Sequence, residues 1–165
     1  MAPSQASDEG AVRMTVNLIP DGYPRVIPYL SVDGAAGAIA FYVSVLGATE
    51  RMRMPGPDDK IGHAELEIGD SVVMLADASP QGGPSPRELG GSPVTVMVYV
   101  PDVDATYAAA IDAGAESLMK PENQFYGDRA AAFTDPFGHR WHIASHVEDV
   151  SPEEMDKRMR EVMGG

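Results

Sequence analysis

The chain has 165 residues, 44% of them hydrophobic and 22% charged, with no cysteine and a formal net charge of −13. Such totals describe a globular chain, one domain or two small modules sharing a core, and they exclude disulfides and thiolate metal sites. The acidic balance with no basic run disfavours nucleic acid, no apolar run approaches the roughly 18–20 residues that span a bilayer, and residues 1–10 lack a basic-then-apolar leader, so a cytoplasmic protein is expected.

Residues 1–23 read as a loose N-terminal arm, small and polar, ending in the turn residues Pro20, Asp21 and Gly22. Arg25 to Val32 alternates as a strand, with Leu30 and Val32 on one face and Ile27, Tyr29 and Ser31 on the other. Asp33 is placed to cap a helix whose apolar positions Ala36, Ile39, Ala40, Val43 and Leu46 fit a period of 3.6, and Gly47 ends it. Strands are expected over Glu50–Met54, Ile61–Ile68 and Ser71–Ala76, the last two joined at Gly69-Asp70. In the second of these, His63, Glu65 and Glu67 share one face.

Residues 79–93 are rich in glycine and proline and read as a linker. A phosphate-binding loop is disfavoured there, because no Lys-Ser/Thr follows and the next residues read as a strand. The pattern then starts again. Val94–Val100 is a strand, Asp102–Ala113 a helix ended by Gly114, and Glu116–Lys120 a strand. Pro121–Asp128 is a loop and Arg129–Thr134 a strand. Asp135-Pro136-Phe137-Gly138 is a turn, and Arg140–Ser145 is a strand that sets His142 opposite Trp141 and Ile143. A repeat of roughly 65–70 residues suits two fused modules rather than a solenoid. The expected fold is α+β: two βαβββ modules, residues 24–78 and 94–147, with curved mixed sheets enclosing a shared cavity. Residues 151–163 form a separate C-terminal helix, opened by the capping box Ser151-Pro152-Glu153-Glu154 and carrying an apolar stripe of Met155, Met159 and Val162.

The repeated order, the Pro28-Tyr29-Leu30-Ser31-Val32-Asp33 start and the Asp135-Pro136-Phe137-Gly138-His139-Arg140-Trp141 ending resemble the vicinal oxygen chelate superfamily, which includes glyoxalase I, extradiol dioxygenases and bleomycin-binding proteins. The chain looks most like its PhnB-like branch, through Ile19-Pro20-Asp21-Gly22-Tyr23, Gly62-His63-Ala64-Glu65-Leu66, Tyr126-Gly127-Asp128-Arg129 and His146-Val147-Glu148-Asp149-Val150. The resemblance implies a homodimer; the sequence itself offers only the Met155/Met159 stripe. It also implies metal ligands at positions that match Ile27, Met74, Thr95 and His142 here, and only His142 is a good donor. No cofactor is therefore expected, and a divalent metal at a displaced site formed by His63, Glu65 and His142 is the alternative. That alternative is a lyase or dioxygenase-type enzyme; the leading reading is a small-molecule protein. Its expected ligand-binding residues are Tyr29, Met74, Met97, Tyr99, Phe125, Tyr126, Arg129 and His142, aromatic and methionine walls with a few polar groups. His139 and His146 read as structural or solvent-facing, and Trp141 as core.

Overall fold

The computed structural model describes residues 16–164. The first 15 residues of the expected arm lie outside the described residues. The first module comprises β1 (Tyr29–Val32), α1 (Ala35–Leu46), β2 (Thr49–Pro55), β3 (Ile61–Ile68) and β4 (Ser71–Asp77). After a short helix α2 (Pro86–Leu89), the second comprises β5 (Thr95–Tyr99), α3 (Val103–Asp112), β6 (Glu116–Asn123), β7 (Asp128–Thr134) and β8 (Arg140–His146). Helix α4 (Pro152–Met163) closes the order. The two sheets have matching strand orders, β1-β4-β3-β2 and β5-β8-β7-β6, with one parallel pair in each. The expected two-module α+β fold is present, and the sheets stay unclosed.

Alternation decides which side of each sheet is buried. Leu30 and Val32 of β1, Ala64, Leu66 and Ile68 of β3, and Val73 and Leu75 of β4 turn to the α1 side and join the core. Phe133, Trp141 and Ile143 do the same in the second sheet, and all three are fully buried. The modules meet through α1. Phe41 packs edge-on against Phe133 and Phe137, with ring centroids 6.2 and 6.4 Å apart, and Tyr42 lies 5.1 Å from Trp141. One core therefore spans both modules, and the opposite faces of both sheets look outward.

The Asp135–Gly138 turn ties this core together. Asp135 is 3% exposed. Its Oδ1 accepts from the backbone N–H of Phe137 and of His139, both at 2.9 Å, which fixes the turn. Its Oδ2 accepts from Tyr42 Oη at 2.5 Å and from Trp141 Nε1 at 2.9 Å, which joins the modules. Burial, followed by the charge of Asp135, holds the Tyr42 hydroxyl well above the ordinary tyrosine pKa, so it stays a donor. His139 Nε2 adds a contact of 3.0 Å to the carbonyl of Ser31.

Three local expectations need correction. Helix α1 is not capped by Asp33. Its cap residue is Gly34, in the left-handed region at φ 99°, and the cap acceptor is Asp77 at the end of β4. The 79–93 stretch is more than a linker. Ser79 and Gly83 form a β-bridge, and α2 carries a complete capping box between Ser85 and Glu88. Arg87 then reaches the Pro136 carbonyl at 2.7 Å, so this segment braces the Asp135 turn. Third, β6 does not stop at Lys120 but runs through Pro121 to Asn123. The register shift between Met119 and Glu122 leaves the proline, which has no N–H to give, without a ladder partner. At α4, Ser151 accepts from Glu154 N, while the Glu154 carboxylate turns to Arg158 instead of completing its box.

Candidate functional site

The outer face of the first sheet is organised around Glu65, which is 5% exposed although it sits on the outward side of β3. Tyr23 Oη donates to both carboxylate oxygens, at 2.9 and 3.1 Å. His63, two residues earlier and on the same face, places Nε2 3.3 Å from Glu65 Oε1 and Nδ1 2.7 Å from Tyr29 Oη. The Arg51 guanidinium stands 3.9 Å from Glu65 Oε2 and 4.6 Å over the Tyr23 ring. The hydrogen bond to Glu65 raises the Tyr23 pKa, and burial raises that of Tyr29. Both hydroxyls therefore remain protonated at neutral pH.

The second sheet has a parallel arrangement. Asp128, 4% exposed, accepts from Tyr99 Oη at 2.8 Å and lies 2.8 Å from His146 Nδ1. His146 Nε2 reaches Asp149 at 2.9 Å, tying the segment before α4 to the sheet. Burial opposes ionisation of Asp128, but the bonds from His146 and Tyr99 outweigh it and its pKa is lowered. The bond to Asp149, and then that to Asp128, raises the pKa of His146. A raised folded-state pKa gives stability that is complete below the unfolded value and is lost as pH rises through the folded one. Resistance to urea is thus expected to fall as pH climbs above about 6.5. His146→Gln should remove that slope; an unchanged slope in the variant would assign it to another group.

Among the described residues, the expected ligand-binding residues that line a groove divide among three of them. Tyr29, Met97 and Tyr99 are 53%, 50% and 60% exposed. Tyr29 lines a groove of about 610 Å³ between the β2–β3 turn and the chain leaving β4. Met74 lines a second, of about 550 Å³, with Tyr23, Glu65 and Ile27. Met97 and Tyr99 line a third, of about 330 Å³, with Val26 and Val72. His142 sits half-buried on β8 between Met97 and Ala132 in the sheet register and lines none of the three. Phe125 and Tyr126 pack edge-on against each other at 5.3 Å.

Arg129, expected to bind ligand, is engaged elsewhere. Its guanidinium is held by Asp104 of α3 at 2.6 and 2.7 Å and by Asn123 at 3.0 Å, on the helix side of the sheet, so it does not face an outer-face ligand. The displaced metal site is also not assembled within one chain. His63 and Glu65 are neighbours on the first sheet, but His142 belongs to the second. Among the described residues no three His, Cys, Asp or Glu groups come together to hold an ion. At the sequence-matched ligand positions, the side chains of Ile27, Met74, Thr95 and His142 do not fit a divalent cation, which takes three or four nitrogen or oxygen donors. Tyr23 and Arg51 were missed. Tyr23 belongs to a stretch read as arm and turn, and Arg51 faces Glu65 beside the register shift between Glu50 and Met52, which interrupts the alternation of β2.

Comparison with known proteins agrees with this architecture. Residues 25–143 match the family model described as the glyoxalase/bleomycin resistance protein/dioxygenase superfamily. The uncharacterised Mycobacterium tuberculosis protein Rv0887c is 46% identical over 140 residues, covering 82% of each chain. The Arabidopsis thaliana protein At5g48480 is 31% identical over 123 residues, 70% of this chain and 74% of that one. Among solved structures, TioX from Micromonospora sp. ML1 superposes with a TM-score of 0.58 at 26% identity, covering 75% of this chain and 99% of that one. Protein PA1353 from Pseudomonas aeruginosa gives 0.60 at 26% identity, over 76% and 99%. The chain belongs to the glyoxalase/bleomycin resistance protein/dioxygenase superfamily.

Proposed function

We propose that the chain is a PhnB-like member of this superfamily that binds a small organic molecule on the outer faces of its sheets, without a metal at the matched ligand positions. The observation that carries this reading is the chemistry of those faces. Half-exposed Tyr29, Met97 and Tyr99 share these faces with two nearly buried carboxylates, Glu65 and Asp128, each held by a tyrosine and a histidine. Apolar walls with a few fixed polar groups suit an organic ligand. The stretches that carry the PhnB-like resemblance contain Tyr23, His63, Glu65, Asp128, His146 and Asp149 of these two clusters, though not Tyr29, Arg51 or Tyr99. We also propose a cytoplasmic homodimer in which a second copy covers an outer face. Exposed Met54, Leu118, Met159 and Val162, added to the exposed aromatics, leave apolar surface for it.

The test is a thermal-shift screen of amphipathic aromatic compounds, run with and without a chelator. A ligand present at 100 times its Kd stabilises by about 2.7 kcal/mol. That shift should survive the chelator and shrink in Tyr99→Ala. A shift that disappears with chelator and returns with a divalent cation would instead establish the metal-dependent alternative.

A further inference from the structure

The His63 ring connects the Tyr29 hydroxyl to a buried carboxylate. Glu65 as a carboxylate only accepts, so the contact at 3.3 Å places a proton on His63 Nε2. In the neutral ring Nδ1 is then an acceptor, and Tyr29 Oη at 2.7 Å is the donor to it. The order is hydroxyl, imidazole, carboxylate. It is the arrangement that activates a hydroxyl wherever a base is itself oriented by a third group. Here the carboxylate is fixed from its other side by Tyr23, and Tyr29 is among the residues that line the groove of about 610 Å³.

We infer that Tyr29, His63 and Glu65 form a proton relay through which this groove takes up a weakly acidic organic compound, a phenol or an enolisable carbonyl compound, as its anion. The proposal rests on the ligand-binding reading above and adds the chemistry of one groove. The ligand's O–H or C–H bond breaks as its proton passes to Tyr29 Oη. In the same step the proton already on Oη passes to His63 Nδ1. Tyr29 remains a neutral hydroxyl and turns to donate to the ligand anion. The imidazolium so formed donates through Nε2–H to the Glu65 carboxylate. One proton has moved from ligand to His63, and it returns when the ligand leaves.

The surrounding charges favour this direction unequally. Lys60 lines the groove and favours an anion, whereas Asp58, on the β2–β3 turn, opposes it. Asp77 also lines the groove, but its carboxylate is occupied by three backbone N–H groups. Arg51 lies on the Glu65 side and offsets that negative charge. Tyr23 donates to Glu65 and does not reach His63 in place of Tyr29. Burial holds the Tyr29 hydroxyl above its ordinary pKa, so a free phenolate is disfavoured and the transfer through it is concerted.

The probe is 4-nitrophenol, whose anion absorbs visible light and whose neutral form does not. Bound to the full chain, it should ionise at a pH about one unit below its value in free solution, a tenfold change in the ionisation constant. Tyr29→Phe and His63→Gln should each return the bound probe to its free-solution titration. Tyr29 is half-exposed, so its phenylalanine variant keeps the fold and keeps the test valid if a change at the buried Glu65 does not. Glu65→Gln should give an intermediate shift. Binding of the probe with unshifted ionisation would overturn the relay and leave the ligand-binding reading standing. The same shift in Tyr29→Phe as in the parent chain would also overturn it. No binding at about millimolar probe, while other compounds stabilise the protein, would remove this groove from the site.

Discussion

Replacing Asp135 by alanine is expected to cost about 3–5 kcal/mol of folding stability, read as a fall in the urea midpoint with an unchanged slope. The carboxylate accepts four bonds, from Phe137 N, His139 N, Tyr42 Oη and Trp141 Nε1. Tyr42 and Trp141 are fully buried, so neither donor can turn to bulk water once the acceptor is gone. Each unsatisfied donor costs about 1–3 kcal/mol, and the two backbone donors at the turn recover part of their loss through solvent. Asp135→Asn should fall between parent and alanine, because an amide keeps one acceptor oxygen and turns an NH2 group toward another donor. The damage should also reach both modules, since Tyr42 comes from α1 of the first and Trp141 from β8 of the second. A midpoint for Asp135→Ala close to the parent's would show that the modules are held by aromatic packing alone.

That residue also shows how far the sequence could be read. Asp135-Pro136-Phe137-Gly138 was legible as a turn because the information is local: a proline with a fixed φ, and a glycine that adopts φ 93°. The partner of its carboxylate, Tyr42, lies 93 positions away, and nothing in the spacing of either residue points to the other. The same division runs through the molecule. Period-two alternation placed β3 and β8 and set His63, Glu65 and His142 outward, as the structure has them. Alternation carries no information about which outward residues on different strands will touch, so the bonds to Glu65 from Tyr23 and its contact with Arg51 were not legible. The place of Arg129 is illegible for the related reason that its partner, Asp104, is on the helix packed behind its sheet. Ser85-Pro86-Arg87-Glu88 is the same cap pattern as Ser151-Pro152-Glu153-Glu154, hidden in a stretch whose glycine and proline content suggested a linker.

The capping of α1 supplies the other large effect. Asp77→Ala is expected to destabilise the fold by about 2–3 kcal/mol, whereas Asp33→Ala should stay within about 0.5 kcal/mol of the parent. From the sequence Asp33 looks like the cap, yet among the described residues its side chain reaches only the exposed Arg87, at 3.5 Å. Asp77 arrives from β4 and accepts from Gly34 N at 3.0 Å and Ala35 N at 2.9 Å with one oxygen, and from Ile61 N at 2.7 Å with the other. One carboxylate thus satisfies the open N-terminus of α1, complements its dipole and pins the start of β3. Burial works against its ionisation, but the three backbone donors and the charge of Lys60 outweigh this and lower its pKa. A lowered folded-state pKa gives stability that is present above the unfolded value, about 3.9, and is lost as pH falls through the folded one. Urea midpoints measured from neutral pH downward should therefore converge for parent and Asp77→Asn in acid, the neutral amide already lacking the charge. Midpoints that stay equally far apart down to the acid transition would assign the effect of Asp77 to shape, and not to the charge that three N–H groups attract.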